Sequence, residues 1–133
     1  MGFILSILSI ILILITHLID YLVSLVYDVK HRKWYKLLDK RNFNKAFQID
    51  VFANYQYSDF WNLIWSKKGD YYKYGRKGET LSSVFGKKQL EGSLSLFGWF
   101  FLILINLIDV SKWFKRGHCI ASIMTDEKIN SNL

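Results

Sequence analysis

From Phe3 to Tyr27 the chain reads FILSILSIILILITHLIDYLVSLVY, an apolar run without a lysine, arginine or proline. At a helical rise it exceeds the hydrocarbon thickness of a bilayer, about 30 Å. The polar residues inside it, Ser6, Ser9, Thr16, Asp20 and Ser24, recur close to a helical repeat, so one narrow stripe faces a neighbouring helix while the rest faces lipid. The stripe is the candidate helix interface, with self-association or a second membrane protein as partner. Downstream, Phe43, Phe47 and Val51, then Phe60, Leu63 and Ile64, fall on helical lines, so 42–65 is predicted helical with a break or bend between Asn54 and Asp59. SKKGDYYKYGRKG, from Ser66 to Gly78, has no apolar period and three glycines, and reads as a loop or a short two-stranded turn. Thr80 is placed to cap a following helix, and Gly86 or Gly92 to end it. A second apolar run, Leu94 to Ile108, is shorter than the roughly 20 residues a perpendicular span needs. It is read as a short span or a helix lying in the interface.

The pattern predicts a mainly α, small membrane protein: a transmembrane helix over 1–29, a basic, aromatic-rich helical region over 30–93 containing the loop 66–78, a second apolar membrane-associated helix over 94–110, and a polar tail over 111–133. A cleaved signal peptide competes for the first segment, but no cationic residue precedes the run and no small-residue cleavage pattern follows it. The N-terminal Gly2 to Ser6 fits a myristoylation pattern formally, yet runs straight into the apolar helix.

Charge refines this picture. Lys and Arg number 18 against 11 Asp and Glu. Seven of those cations lie between Lys30 and Lys45 against one acid, Asp39. Directly after a membrane helix, such a flank belongs on the cytoplasmic or interior side. Lys30, Arg32, Lys33, Lys36, Lys40 and Arg41 are the candidate contacts to anionic headgroups, with Trp34 and Tyr35 as interface anchors. A membrane-tethered nucleic-acid binder is the other reading of that basic, aromatic segment. The single cysteine, Cys119, excludes an intramolecular disulfide framework. His118-Cys119 invites a metal or nucleophile reading, but adjacent side chains diverge, and no carboxylate is spaced to orient the histidine. GRKGE and GKKQ lack the strand and the Ser/Thr of a phosphate loop. No catalytic, cofactor or metal residue is assigned, and the protein is read as non-enzymatic.

A set of short patterns occurs in order along the last two thirds of the chain: Asp50 with Asn54, then Glu79-Thr80-Leu81-Ser82-Ser83, Gly86, Asp109, and His118-Cys119 followed by Ser122. In this order they resemble a family of small, uncharacterised proteins encoded by tailed bacteriophages and prophages. The resemblance implies a phage or prophage gene product, in the bacterial inner membrane or a virion membrane, and carries no activity with it. Two departures stand out: the stretch from Asn54 to Glu79 is longer than in that family, and the membrane helix with its basic flank looks like an N-terminal addition. The shared residues read as structural, with Glu79 and Thr80 at a helix N-terminus, Ser82 and Ser83 satisfying its first amides, and a polar core of Asp50, Asn54, Glu79 and His118 conceivable. A holin-like or lysis-accessory role is the alternative, since the polar stripe could line an oligomeric pore.

Overall fold

The computed structural model describes residues 2–30, 34–108 and 117–133, and within these every side chain except those of residues 28, 30 and 34–39. Arg32, Lys33 and Asp109 lie outside the described residues, as do the side chains of Lys30, Trp34, Tyr35 and Lys36. The protein is mainly helical, with no strand among the described residues. Among the described residues seven helices follow in order: α1 (Gly2–Lys30), α2 (Trp34–Gln56), α3 (Ser58–Ile64), α4 (Leu81–Glu91), α5 (Leu96–Ile108), α6 (His118–Ala121) and α7 (Asp126–Asn130). They divide into two compact units, Met1–Lys45 and Ala46–Leu133.

In the first unit, α1 is long and apolar enough over Gly2–Tyr27 to cross a membrane. Its large apolar side chains from Phe3 to Val29 are exposed, apart from half-buried Leu25. Only Ser24 is buried among its described side chains, and Asp20 forms an ion pair with Lys45 of α2. The helix α2 begins at Trp34, well before the predicted start at 42. Lysine, arginine and leucine are good helix formers, so the basic segment continues the helix without an apolar period to announce it.

The second unit is built around Trp65. Its ring stacks on Trp61 at 4.0 Å and meets Phe85 at 4.8 Å and Phe101 at 4.6 Å. Val84, Phe85, Leu94, Leu102, Tyr74 and Cys119 complete the core. The expected break falls at Tyr57, where the Ala53 carbonyl accepts from both the Tyr57 amide and the Trp61 indole N–H. A side chain competing for a helix carbonyl is a recognised cause of such a bend. Of the apolar line Phe60, Leu63 and Ile64, only Ile64 packs against the core; Phe60 and Leu63 are exposed, because Trp61 and Trp65 take the inner face.

Residues 66–80 form a loop with a single bridge, Ser66 to Leu94. Thr80 caps α4, its Oγ1 accepting from the Ser83 amide at 3.2 Å. Gly92, at φ 67°, ends the helix in the left-handed conformation. Gly86, the other expected end, sits inside α4 and serves closeness instead: a Cβ there would lie 2.3 Å from the Cys119 carbonyl oxygen. The described residues of the expected polar tail, 117–133, contribute α6, packed on α4, and α7, and they bury Cys119, Met124 and Ile129. Those three apolar side chains, spread among polar ones, are enough to fold the segment onto the core.

Candidate functional site

The chemistry-bearing residues converge on the N-terminal end of α4. Glu79, the residue before the cap, is fully buried. Its carboxylate receives the Tyr72 hydroxyl at 2.6 Å, the Ser83 hydroxyl at 2.6 Å and the Lys87 ammonium at 2.7 Å. Ser83 and Lys87 follow at i+4 and i+8, one stripe of the helix, so α4 itself aims both donors at the carboxylate. Lys87 also donates to the Tyr72 oxygen at 3.0 Å and lies over that ring. Burial pushes the Lys87 pKa down, but its hydrogen bonds to Glu79 and Tyr72 and the Glu79 charge outweigh this, leaving it above the usual lysine value. A buried carboxylate so fully met is a structural ion pair with both oxygens satisfied.

The same short segment ties in the rest of the unit. Ser83 Oγ accepts from the Met124 amide at 3.0 Å, fastening the chain beyond α6. Asn54, fully buried, donates to the carbonyls of Arg76 and Glu79 at 3.1 and 2.9 Å and accepts from the Gly75 amide at 3.1 Å. Asn62 accepts from the Tyr74 amide at 3.0 Å and donates to its carbonyl at 3.1 Å. Two asparagine side chains therefore do for loop 66–78 what a neighbouring strand would do, pairing backbone groups that burial would otherwise leave unmet.

Asp50 Oδ2 accepts from the Ser82 hydroxyl at 2.5 Å and from its amide at 3.3 Å, at the first turn of α4. Burial raises the Asp50 pKa; the Ser82 hydrogen bonds and the charge of His118 oppose the rise without cancelling it. Cys119 is fully buried and its thiol is pushed up to about 12, by burial first and by the Asp50 charge second. A thiol held protonated in this way is a poor nucleophile and a poor metal ligand. The His118 amide donates to Asn106 Oδ1 at 2.8 Å, anchoring the start of α6 on α5. Among the described residues no group of three or more His, Cys, Asp and Glu could hold a metal ion.

Comparison with family models, with curated proteins and with solved structures gives no match. The site is therefore read from its own geometry.

That geometry brings Asp50, Asn54, Glu79, Thr80, Ser82, Ser83, His118 and Cys119 into one half of the second unit. The candidate helix-interface residues separate into two groups. Ser6, Ser9 and Thr16 are exposed, with the Ser9 hydroxyl returned to its own Leu5 carbonyl at 2.8 Å. Asp20 and Ser24 are the two that are engaged, by the Lys45 pair and by burial. Of the candidate headgroup residues with described side chains, Lys40 is exposed and Arg41 is half-buried.

Sequence reasoning missed Asn62, Tyr72, Lys87 and Lys88. Lys88 is enclosed, with its ammonium 5.2 Å from the centre of the Tyr74 ring, and burial lowers its pKa. The i, i+4, i+8 spacing of Glu79, Ser83 and Lys87 was the one available signal; Asn62 and Tyr72 had none, since their partners are set by the path of the loop.

Proposed function

We propose that the protein is a phage-encoded, non-enzymatic integral membrane protein whose role at a host or virion membrane is structural or interactive. The observation that carries this is α1, 26 residues of candidate span with apolar side chains exposed on all sides. Left in water, such a surface far exceeds the few hundred Å² that soluble proteins tolerate; lipid absorbs it without cost. The phage part of the proposal rests on the order of the resembling residues alone; several of them, Asn54 with Glu79, Asp50 with Ser82 and Glu79 with Ser83, are hydrogen-bonded into a polar core that fits a structural role. Its satisfied carboxylate and protonated thiol favour a scaffold over a reaction centre. The basic stretch 30–45 faces the cytoplasm or particle interior by its charge.

Alkaline carbonate extraction of the expressed protein is the test: retention in the membrane pellet is expected, and release into the soluble fraction overturns the proposal. The holin-like alternative draws on the polar stripe of α1, but Asp20 is neutralised by Lys45, which weakens a pore lining. Under that alternative, expression depolarises the host; under the scaffold reading, membrane potential and viability hold. The nucleic-acid alternative requires binding that falls steeply with salt.

A further inference from the structure

The helix α5 is half inside the second unit and half outside it. Gly98 and Leu102 are buried, with Ile105 packed on the core. Leu96, Phe97, Phe100, Ile103, Leu107 and Ile108 point away, the first and last more than 80% exposed. At 100° per residue the outward face, edged by Trp99 and Phe101, covers about 200° of the helix. Its one hydrogen-bonding group is the Trp99 indole.

This face is preformed. The Ser95 hydroxyl donates to the Ile64 carbonyl at 2.6 Å and the Ser95 amide to the Trp65 carbonyl at 3.0 Å; the Lys67 amide donates to Ser93 at 2.9 Å and its ammonium to the Gly92 carbonyl at 2.7 Å. Gly98 lets the helices close, since a Cβ there would stand 2.6 Å from the Trp65 carbonyl oxygen. Exposed Phe60 of α3 and Phe101 of α5 both rest on the buried Trp65 ring, at 6.3 and 4.6 Å, and Phe100 stands 6.0 Å from Phe101, so the two helices present their outer aromatic side chains from one support.

We infer that α5, with the aromatic edge of α3, lies in the interfacial layer of an anionic bilayer, a lipid contact separate from the α1 span. The inference rests on the membrane reading of α1, which keeps the second unit tethered to a bilayer. Thirteen residues reach about 20 Å, short of a crossing but right for a helix lying in the plane. Charge selects lipid over a second copy. The loop 66–78, stapled to the start of α5, carries five Lys and Arg against one Asp, and of these Arg76 is paired with Asp126 of α7. A two-fold pairing through α5 brings two such loops together, whereas phosphate headgroups complement them. A protein partner would also leave an outward face almost without hydrogen bonds, where interfaces carry about one per 100–200 Å².

Spin labels on the full chain in phosphatidylcholine bilayers containing phosphatidylglycerol test this. Cysteines are placed singly by Phe100→Cys, Ile103→Cys and Leu107→Cys, with Glu127→Cys on exposed α7 as the aqueous control and Ile11→Cys as the anchor control. Native Cys119 stays unlabelled because it is buried. Oxygen collisions several-fold above those with a water-soluble nickel chelate are expected at 100, 103, 107 and 11, and the reverse at 127. Nickel dominance at 100, 103 and 107 with oxygen dominance at 11 overturns this inference and leaves the anchor standing. An immobile label reached by neither reagent at 100, 103 and 107 also overturns it, in favour of a protein partner. Nickel dominance at 11 overturns the anchor itself. Adding Lys68→Glu and Lys73→Glu to Phe100→Cys is expected to lower the oxygen preference; no change refutes the part assigned to the cationic loop.

Discussion

Replacing Glu79 by glutamine keeps the shape of the side chain and removes its charge. In the wild type, one fully buried carboxylate takes two hydroxyl donors and one ammonium, all within 2.7 Å. After Glu79→Gln, Lys87 faces a neutral amide, and at least one of the three donors meets an N–H₂ instead of an oxygen. Breaking a buried pair costs about 3–5 kcal/mol, and since Lys87 retains some contact with solvent the expected loss is at the lower edge, about 2–3 kcal/mol. For a unit the size of Ala46–Leu133 this corresponds to a fall in Tm of roughly 10–20 °C. Near-UV circular dichroism of the full chain in detergent follows the transition through the Trp61–Trp65 stack. The decisive comparison is the double variant Glu79→Gln with Lys87→Met, which removes the stranded cation and is expected to recover at least about 1 kcal/mol relative to the sum of the single losses. Additive losses, or a fall of less than about 3 °C for Glu79→Gln alone, would refute the claim that this ion pair holds the N-terminal end of α4.

Gly86→Ala gains about 1 kcal/mol in helix propensity but sets a Cβ against the Cys119 carbonyl, a backbone atom that no rotamer relieves, so a net loss of about 2 kcal/mol is expected by thermal denaturation. Asn54→Ala removes the partner of the Gly75 amide and of the Glu79 carbonyl and one of the two donors to the Arg76 carbonyl, and is expected to cost about 2–4 kcal/mol, with protection of the Gly75 amide lost in hydrogen exchange. Lys87 sits above its ordinary value of 10.5 in the folded protein, so its stabilising contribution is complete below that pH and is lost as the pH rises through the folded value; the stability difference between wild type and Lys87→Met is expected to shrink above pH 10.5. Cys119 is expected to resist alkylation at neutral pH in the native protein and to react once α4 and α6 separate, read by mass spectrometry across a denaturant series.

What the chain discloses locally it disclosed well. The run at α1, the second apolar helix, the Thr80 cap and the Gly92 stop all depend on residues within a turn or two of one another, which is the range over which periodicity and capping operate. The contacts that assemble the second unit span longer distances: Asn54 to Glu79 across 25 residues, Asp50 to Ser82 across 32, Met124 to Ser83 across 41. No local pattern encodes these, and the grouping of Asp50, Asn54, Glu79 and His118 was reached only through the resemblance. Glu79 shows the difference in kind. Its sequence position suggested only a place at a helix N-terminus, whereas its side chain is held by a lysine two turns away. Gly86 misled for a related reason, since a glycine that admits a neighbouring backbone looks the same in sequence as one that ends a helix.

The asparagine clamps have a consequence for how this protein can change over time. Asn54 and Asn62 grip loop 66–78 by its main chain, at Gly75, Arg76, Tyr74 and Glu79, and ask nothing of the exposed side chains at Lys68, Asp70 and Lys73. Substitution at those three positions leaves the path of the loop intact. Surface charge in this segment can thus change, along with whatever the loop contacts, without being drawn into the inheritance of the fold.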